Sequence, residues 1–147
     1  MFDASDLDHL ADLAGAERLL GIHGDEAEIL VSCASASLRV QSFPDALALL
    51  RAALSIDREH ARAWSLMGNV LEKLGDLDGA RSAYASALLY DDRDPTTALA
   101  LAKIHLAAGR PGKARALIDW VVARFPDSKH ARQQAAALLQ RVQTEAA

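Results

Sequence analysis

Much of what this sequence could be is ruled out by what it has little of. A single cysteine, Cys33, excludes an intrachain disulfide and a multi-cysteine zinc site, and fits a reducing compartment. Proline and glycine number only 4 and 8, and aromatics make up 5%, so the residues that favour turns and strands are scarce. Basic charge is not in excess: 16 Lys and Arg stand against 20 Asp and Glu, with both signs scattered along the chain. No basic footprint exists for a phosphate backbone, and nucleic acid is not expected as a partner. No apolar run approaches the ~20 residues of a membrane-spanning helix. The N-terminus, Met1 to Asp6, is acidic where a secretory signal would be basic. A soluble, cytoplasmic chain without membrane insertion is the expectation. What is present is 51% apolar and dominated by alanine and leucine, good helix formers, which predicts one all-α domain over residues 1–147.

Self-similarity organises the chain. Ala46, Ala80 and Ala114 recur at an interval of 34 residues, each followed four residues later by a large apolar side chain, Leu50, Tyr84 or Ile118. Upstream of each lies a second repeated set: Leu30, Cys33, Ala34, then Trp64, Met67, Gly68, then Ala98, Leu101, Ala102. The units are therefore 27–60, 61–94 and 95–128. Small residues recur where paired helices approach most closely, because a large side chain would force them apart. Gly75 and Gly109 share the phase at which the chain reverses between two helices, and Gln41 holds that place in the first unit, so its turn is expected to differ. Pro44 and Pro111 in the first turns of second helices, with Asp94-Pro95 and Pro126-Asp127 at unit boundaries, are helix-start signals.

These phases resemble the tetratricopeptide repeat signature, Trp-x2-Leu-Gly followed by spaced small and aromatic residues. The middle unit matches it best, through Trp64, Met67, Gly68, Leu71, Ala80, Tyr84 and Ala87. The resemblance implies three helix pairs stacked into a short right-handed solenoid. Residues 129–143 form a further amphipathic stretch, with Ala131, Ala135, Leu138, Leu139 and Val142 on one face and Arg132, Gln133, Gln140 and Arg141 opposite, which suits a solvating cap. Residues 5–20 also read as a helix, whose two apolar stripes, Leu7-Leu10-Ala14 and Leu13-Ala16-Leu20, leave one for a homodimer contact.

No arrangement for catalysis is legible. His9, His23, His60, His105 and His130 are dispersed, no two at ligand spacing on one helix face, so neither a metal nor a cofactor is expected. Cys33 and His105 fall at inward positions and read as a packed thiol and a hydrogen-bonded core imidazole. Asp91-Asp92-Arg93-Asp94 lacks the glycine and terminal glutamate of a calcium loop and reads as an acidic turn capping the next helix. Trp64 and Trp120 read as helix-contact residues.

Binding is the remaining role. In the architecture that the resemblance implies, first helices line a concave face through positions 2, 5, 9, 12 and 13 of each unit. Those positions hold Glu28, Val31, Ser35, Leu38 and Arg39; Arg62, Ser65, Asn69, Glu72 and Lys73; and Thr96, Leu99, Lys103, Leu106 and Ala107. Four basic residues oppose two acidic ones there, so an acidic chain would carry a mildly basic groove with apolar patches at its ends, suited to a protein or peptide client. Val31 and Ser35 stand where repeat domains that clamp the C-terminal carboxylate of heat-shock chaperones need Lys and Asn, which disfavours that mode. Three repeats between two flanking helices, with the passage from Ala80 and Tyr84 through Asp94-Pro95 to Ala98, Gly109 and Ala114, resemble the type III secretion translocator chaperones. That resemblance implies a cytoplasmic chaperone holding an unfolded client segment and dimerising through its N-terminal helix. The competing expectation is a scaffold or adaptor in assembly of a secretion, pilus or cell-envelope complex.

Overall fold

The computed structural model describes residues 22–146, with side chains from 26 to 145. Among the described residues there are seven α-helices and no strand: α1 (Ile22–Arg39), α2 (Phe43–Ile56), α3 (Ala61–Lys73), α4 (Leu77–Tyr90), α5 (Pro95–Ala107), α6 (Pro111–Arg124) and α7 (Lys129–Ala146). The fold is all-α, a succession of helix pairs at the period read from the sequence. The expected helix over 5–20 lies outside the described residues. The C-terminal helix opens at the expected residue and runs on to Ala146, past the expected end at 143.

The chain divides into two compact units between His60 and Ala61, at a repeat boundary. In the first, α1 packs on α2. The buried residues are Ala27, Val31 and Ala34 on one helix and Ala46, Leu50, Ala53 and Leu54 on the other, each set a stripe at helical spacing. The stripe on α1 runs through Val31 rather than Cys33, and Cys33 is exposed, so the expectation of a packed thiol is corrected. His60 Nε2 lies 2.9 Å from Glu28 Oε2 and ties the end of this unit to α1.

In the second unit α3 packs on α4, α4 on α5, α5 on α6 and α6 on α7, and α7 also reaches back to α5. One apolar cluster joins Ala98, Leu99, Ala102 and Leu106 of α5 to Ala114, Ile118 and Val121 of α6 and to Ala131, Ala135 and Val142 of α7. A smaller one joins Ala80 and Tyr84 of α4 to Leu101 and Ile104 of α5. Small residues are needed where helices close up: a Cβ built on Gly68 would stand 2.6 Å from two ring carbons of Tyr84. Trp120 is half-buried, its ring 5.9 Å from that of Phe125 in an edge-on arrangement.

Helix ends follow the sequence signals. Pro95 and Pro111 open α5 and α6, Asp76 caps α4 by accepting from the Gly79 N–H at 2.9 Å, and Asp94 caps α5 by accepting from the Thr96 N–H at 2.9 Å. The reversals within the three pairs share one hydrogen-bond pattern. Gln41, Gly75 and Gly109 have φ of 59°, 83° and 69°, and the residue after each donates its N–H to a carbonyl five residues back. The first turn was expected to differ, and it does not. Closing the exposed carbonyls of α1 requires the left-handed conformation whatever residue stands there, and Gln41 adopts it at a steric cost of about 1 kcal/mol.

Candidate functional site

Helices α3 and α5 carry the expected binding positions of the second unit. Arg62, Asn69 and Lys73 on α3 are exposed, and Ser65 is half-buried. Ser65 Oγ stands 2.8 Å from Thr97 Oγ1, and Thr97 in turn donates to Asp94 Oδ2 at 2.7 Å, so the cap of α5 is anchored on α3. Lys103 is 54% exposed at its side chain. In the first unit Arg39 is exposed, and Ser35 and Leu38 are half-buried.

Three of the expected face residues are buried. Val31, Leu99 and Leu106 are only 0, 4 and 3% exposed. Val31 lies on the stripe that α1 turns toward α2. Leu106 and Leu99 are covered because α7 returns onto α5, where Leu106 joins the cluster that holds Ala135 and Val142.

The charge of the face also differs from a count of its residues. Glu72 is 23% exposed, and its Oε1 lies 3.2 Å from the Lys103 ammonium. Its other oxygen, Oε2, accepts from the buried Tyr84 hydroxyl at 3.0 Å. Burial, and then the neighbouring Glu72 carboxylate, raises the Tyr84 hydroxyl well above the ordinary phenol range, so it stays a donor. One carboxylate thus links α3, α4 and α5 and offsets the cation expected to make this part of the face basic. Neither the pairing nor Tyr84's part in it is legible in the repeat phases, since Tyr84 and Glu72 are 12 residues apart on different helices.

Two cavities open in the second unit. One, of about 380 Å³, lies among Arg62, Ser65, Leu66, Ala87, Asp91, Asp94 and Thr97. Asp91 at its edge is held down to about 2 by hydrogen bonds from the Arg93 side chain and backbone. Its acidic residues cap and brace the turn into α5, as expected of this segment. The other, of about 330 Å³, is a cleft between α5 and α7 lined by Thr96, Leu99, Ala100 and Lys103 on one wall and Gln134, Ala137 and Leu138 on the other. Gln134 and Ala137 were missed in the sequence. Their spacing with Leu138 on a helix was the available signal, a second stripe beside Ala131 and Ala135.

His105 is buried on α5 as expected, yet its Nδ1 has no hydrogen-bond partner. Burial, followed by the positive charges of Lys113, Arg110 and Arg81, lowers its proton affinity below that of a free imidazole. Among the described residues no three His, Cys, Asp or Glu side chains converge, and no helix is long and apolar enough to cross a membrane.

The tetratricopeptide repeat family model matches residues 37–96 and again 71–141. The chain belongs to the tetratricopeptide repeat family. Solved structures similar to this tetratricopeptide repeat chain include the type III secretion translocator chaperone SycD of Yersinia enterocolitica. That match is 17% identical with a TM-score of 0.74, over 83% of this chain and 84% of that one. PcrH, known from Pseudomonas aeruginosa, is similar in its complex with the chaperone binding region of PopD, at 20% identity and a TM-score of 0.72 over 84% of this chain and 92% of that one. At these identities the likeness is one of fold. Among curated proteins, cellulose synthase operon protein C of Pseudomonas fluorescens (strain SBW25) is 40% identical over 65 residues. The matched stretch is 44% of this chain and only 5% of that protein's length.

Proposed function

We propose that this tetratricopeptide repeat chain is a non-catalytic protein-binding module that holds an extended segment of a client polypeptide, in the manner of a cytoplasmic type III secretion chaperone. The observation that carries the reading is the cleft between α5 and α7: an apolar floor with a polar rim, a form that suits an inserted side chain. The fold shared with SycD and with PcrH, the latter solved with a client region bound, supports it. The residues proposed to meet a client in the second unit are Arg62, Ser65, Asn69, Lys73 and Lys103, with Leu99 acting from the cleft floor and Leu106 serving only to pack. For the first unit, taken by itself, Ser35, Leu38 and Arg39 are proposed as protein-contacting residues and Val31 as a packing one. A homodimer through residues 5–20 belongs to the same proposal. Affinity capture from native cells followed by mass spectrometry tests it. Stoichiometric recovery of one secreted, apolar protein is the expected result; recovery of a folded multiprotein assembly with no secreted client overturns it.

That second outcome would favour an adaptor within a secretion or cell-envelope assembly. The 40% identity with a segment of cellulose synthase operon protein C supports this alternative.

A further inference from the structure

We propose that the cleft between α5 and α7 receives one aliphatic side chain of the client flanked by an acidic residue, and that Lys103 turns from Glu72 to that residue's carboxylate. The proposal rests on the client-holding reading and adds the chemistry of the ligand.

At about 330 Å³ the cleft is near the lower end of ligand pockets, which start at about 300 Å³, so it suits a side chain rather than a folded surface. Each wall carries one of the smallest side chains, Ala100 on α5 and Ala137 on α7, while Leu99 and Leu138 supply apolar surface. Among the described lining residues the polar side chains are those of Thr96, Gln134 and Lys103. Gln134 is already engaged through its Nε2 with His130 Nε2 at 3.0 Å, which leaves its carboxamide oxygen to accept from a peptide N–H. Among the described residues the lining contains one cation and no anion, so an acidic flank is matched and a basic flank is repelled.

The pairing of Lys103 makes that preference conditional. Glu72 is held in place, because its second oxygen is bound by the buried Tyr84 hydroxyl at 3.0 Å. Lys103, 54% exposed on a flexible four-carbon stem, is the mobile partner of the 3.2 Å ion pair. A ligand carboxylate at the cleft rim therefore competes with a fixed internal anion for a movable cation. Glu72 lowers the affinity of every acidic ligand and shields Lys103 when the cleft is empty.

The test is selection of a random dodecapeptide display library on the full chain, followed by anisotropy titration of the enriched peptides. Enrichment of an aliphatic residue beside Asp or Glu is expected. Ala137→Leu, at an exposed position that leaves the core alone, should fill the cleft and weaken binding by about tenfold or more. Lys103→Gln should weaken it up to about fivefold and remove the acidic preference. Glu72→Gln, which leaves Tyr84 its acceptor, should tighten it by a similar factor. Enriched peptides that bind Ala137→Leu as well as the parent would overturn the cleft proposal while leaving client binding intact. Basic-flanked peptides, or weaker binding to Glu72→Gln, would overturn the Lys103 exchange. If no peptide is enriched and Ala137→Leu abolishes a concentration-dependent dimer in sedimentation, a second copy occupies the cleft and the proposal fails. No enrichment and no dimer would fail both this proposal and the client-holding reading.

Discussion

The second and third repeats place different residues at the same phases and bury them differently. In the second, Gly68 lies against the ring of Tyr84, whose hydroxyl reaches out to Glu72. In the third, those phases hold Ala102, Ile118 and Leu106, all buried in one apolar cluster. A bulky planar ring needs a glycine opposite it, whereas a branched aliphatic leaves room for a methyl group. The position of Glu72 stays partly open to water, while that of Leu106 is covered by α7. Repeat phase alone therefore sets neither the exposure of a residue nor its charge; what packs on it does.

Exchanging residues between the two repeats tests this, and the largest effect is expected from the covered position. Leu106→Glu would put a carboxylate into the cluster with Ala135 and Val142 and should cost about 3 kcal/mol or more, read by urea unfolding together with loss of α7 protection in hydrogen exchange. The reverse exchange, Glu72→Leu, removes the acceptor of the Tyr84 hydroxyl and a partly exposed ion pair with Lys103, and should cost ~1–2 kcal/mol. Equal costs would mean that α7 does not cover Leu106 in solution.

Gly68→Ala comes next. A methyl group 2.6 Å from the Tyr84 ring should destabilise by ~1–3 kcal/mol despite the better helix propensity of alanine. Adding Tyr84→Ile, which copies the third-repeat pair, should recover most of that loss in a double-mutant cycle. Additive losses would show that the ring is not the obstacle.

The turns extend the comparison to the first repeat. Gln41→Gly should raise stability by about 1 kcal/mol and Gly75→Gln should lower it by as much, both measurable as shifts in the thermal midpoint, because all three reversals demand positive φ. A neutral Gln41→Gly would mean the side chain offsets its strain elsewhere.

The smallest effect separates His105 from Leu71, its counterpart in the second repeat. In the unfolded chain the imidazole takes up its proton near 6.5, and in the folded chain only at lower pH. Acidification through that window therefore favours unfolding, and stability should fall as pH drops below about 6.5. His105→Leu should flatten that part of the pH profile, and an unchanged slope would assign it to other groups.

Much of this was legible from one sequence. The 34-residue interval located three helix pairs because the close approach of paired helices excludes large side chains at fixed phases, a local constraint that leaves a periodic trace. Asp94 and Pro95 marked the start of α5 because capping is also local. The expected face was less complete. Cys33 and Val31 exchanged the inside and outside of α1: two positions apart on a helix, at about 100° per residue, they lie on nearly opposite faces, and the buried stripe runs through Ala27, Val31 and Ala34 instead of the expected Leu30, Cys33 and Ala34. The conformation of the turn at Gln41 was not legible, because residue preference alone leaves out the unpaired carbonyls that the turn must close.

Helix content, repeat length and the family of this chain were determined by the sequence itself, through spacings that any partner helix would reward. Only the tertiary structure decided that α7 folds back onto α5, burying Leu106 and Leu99 and leaving a cleft beside Ala100 and Ala137, and that Glu72 takes Lys103. Burial and ion pairing depend on which distant helix arrives at a surface, and side chains brought together by packing carry no fixed spacing along the chain.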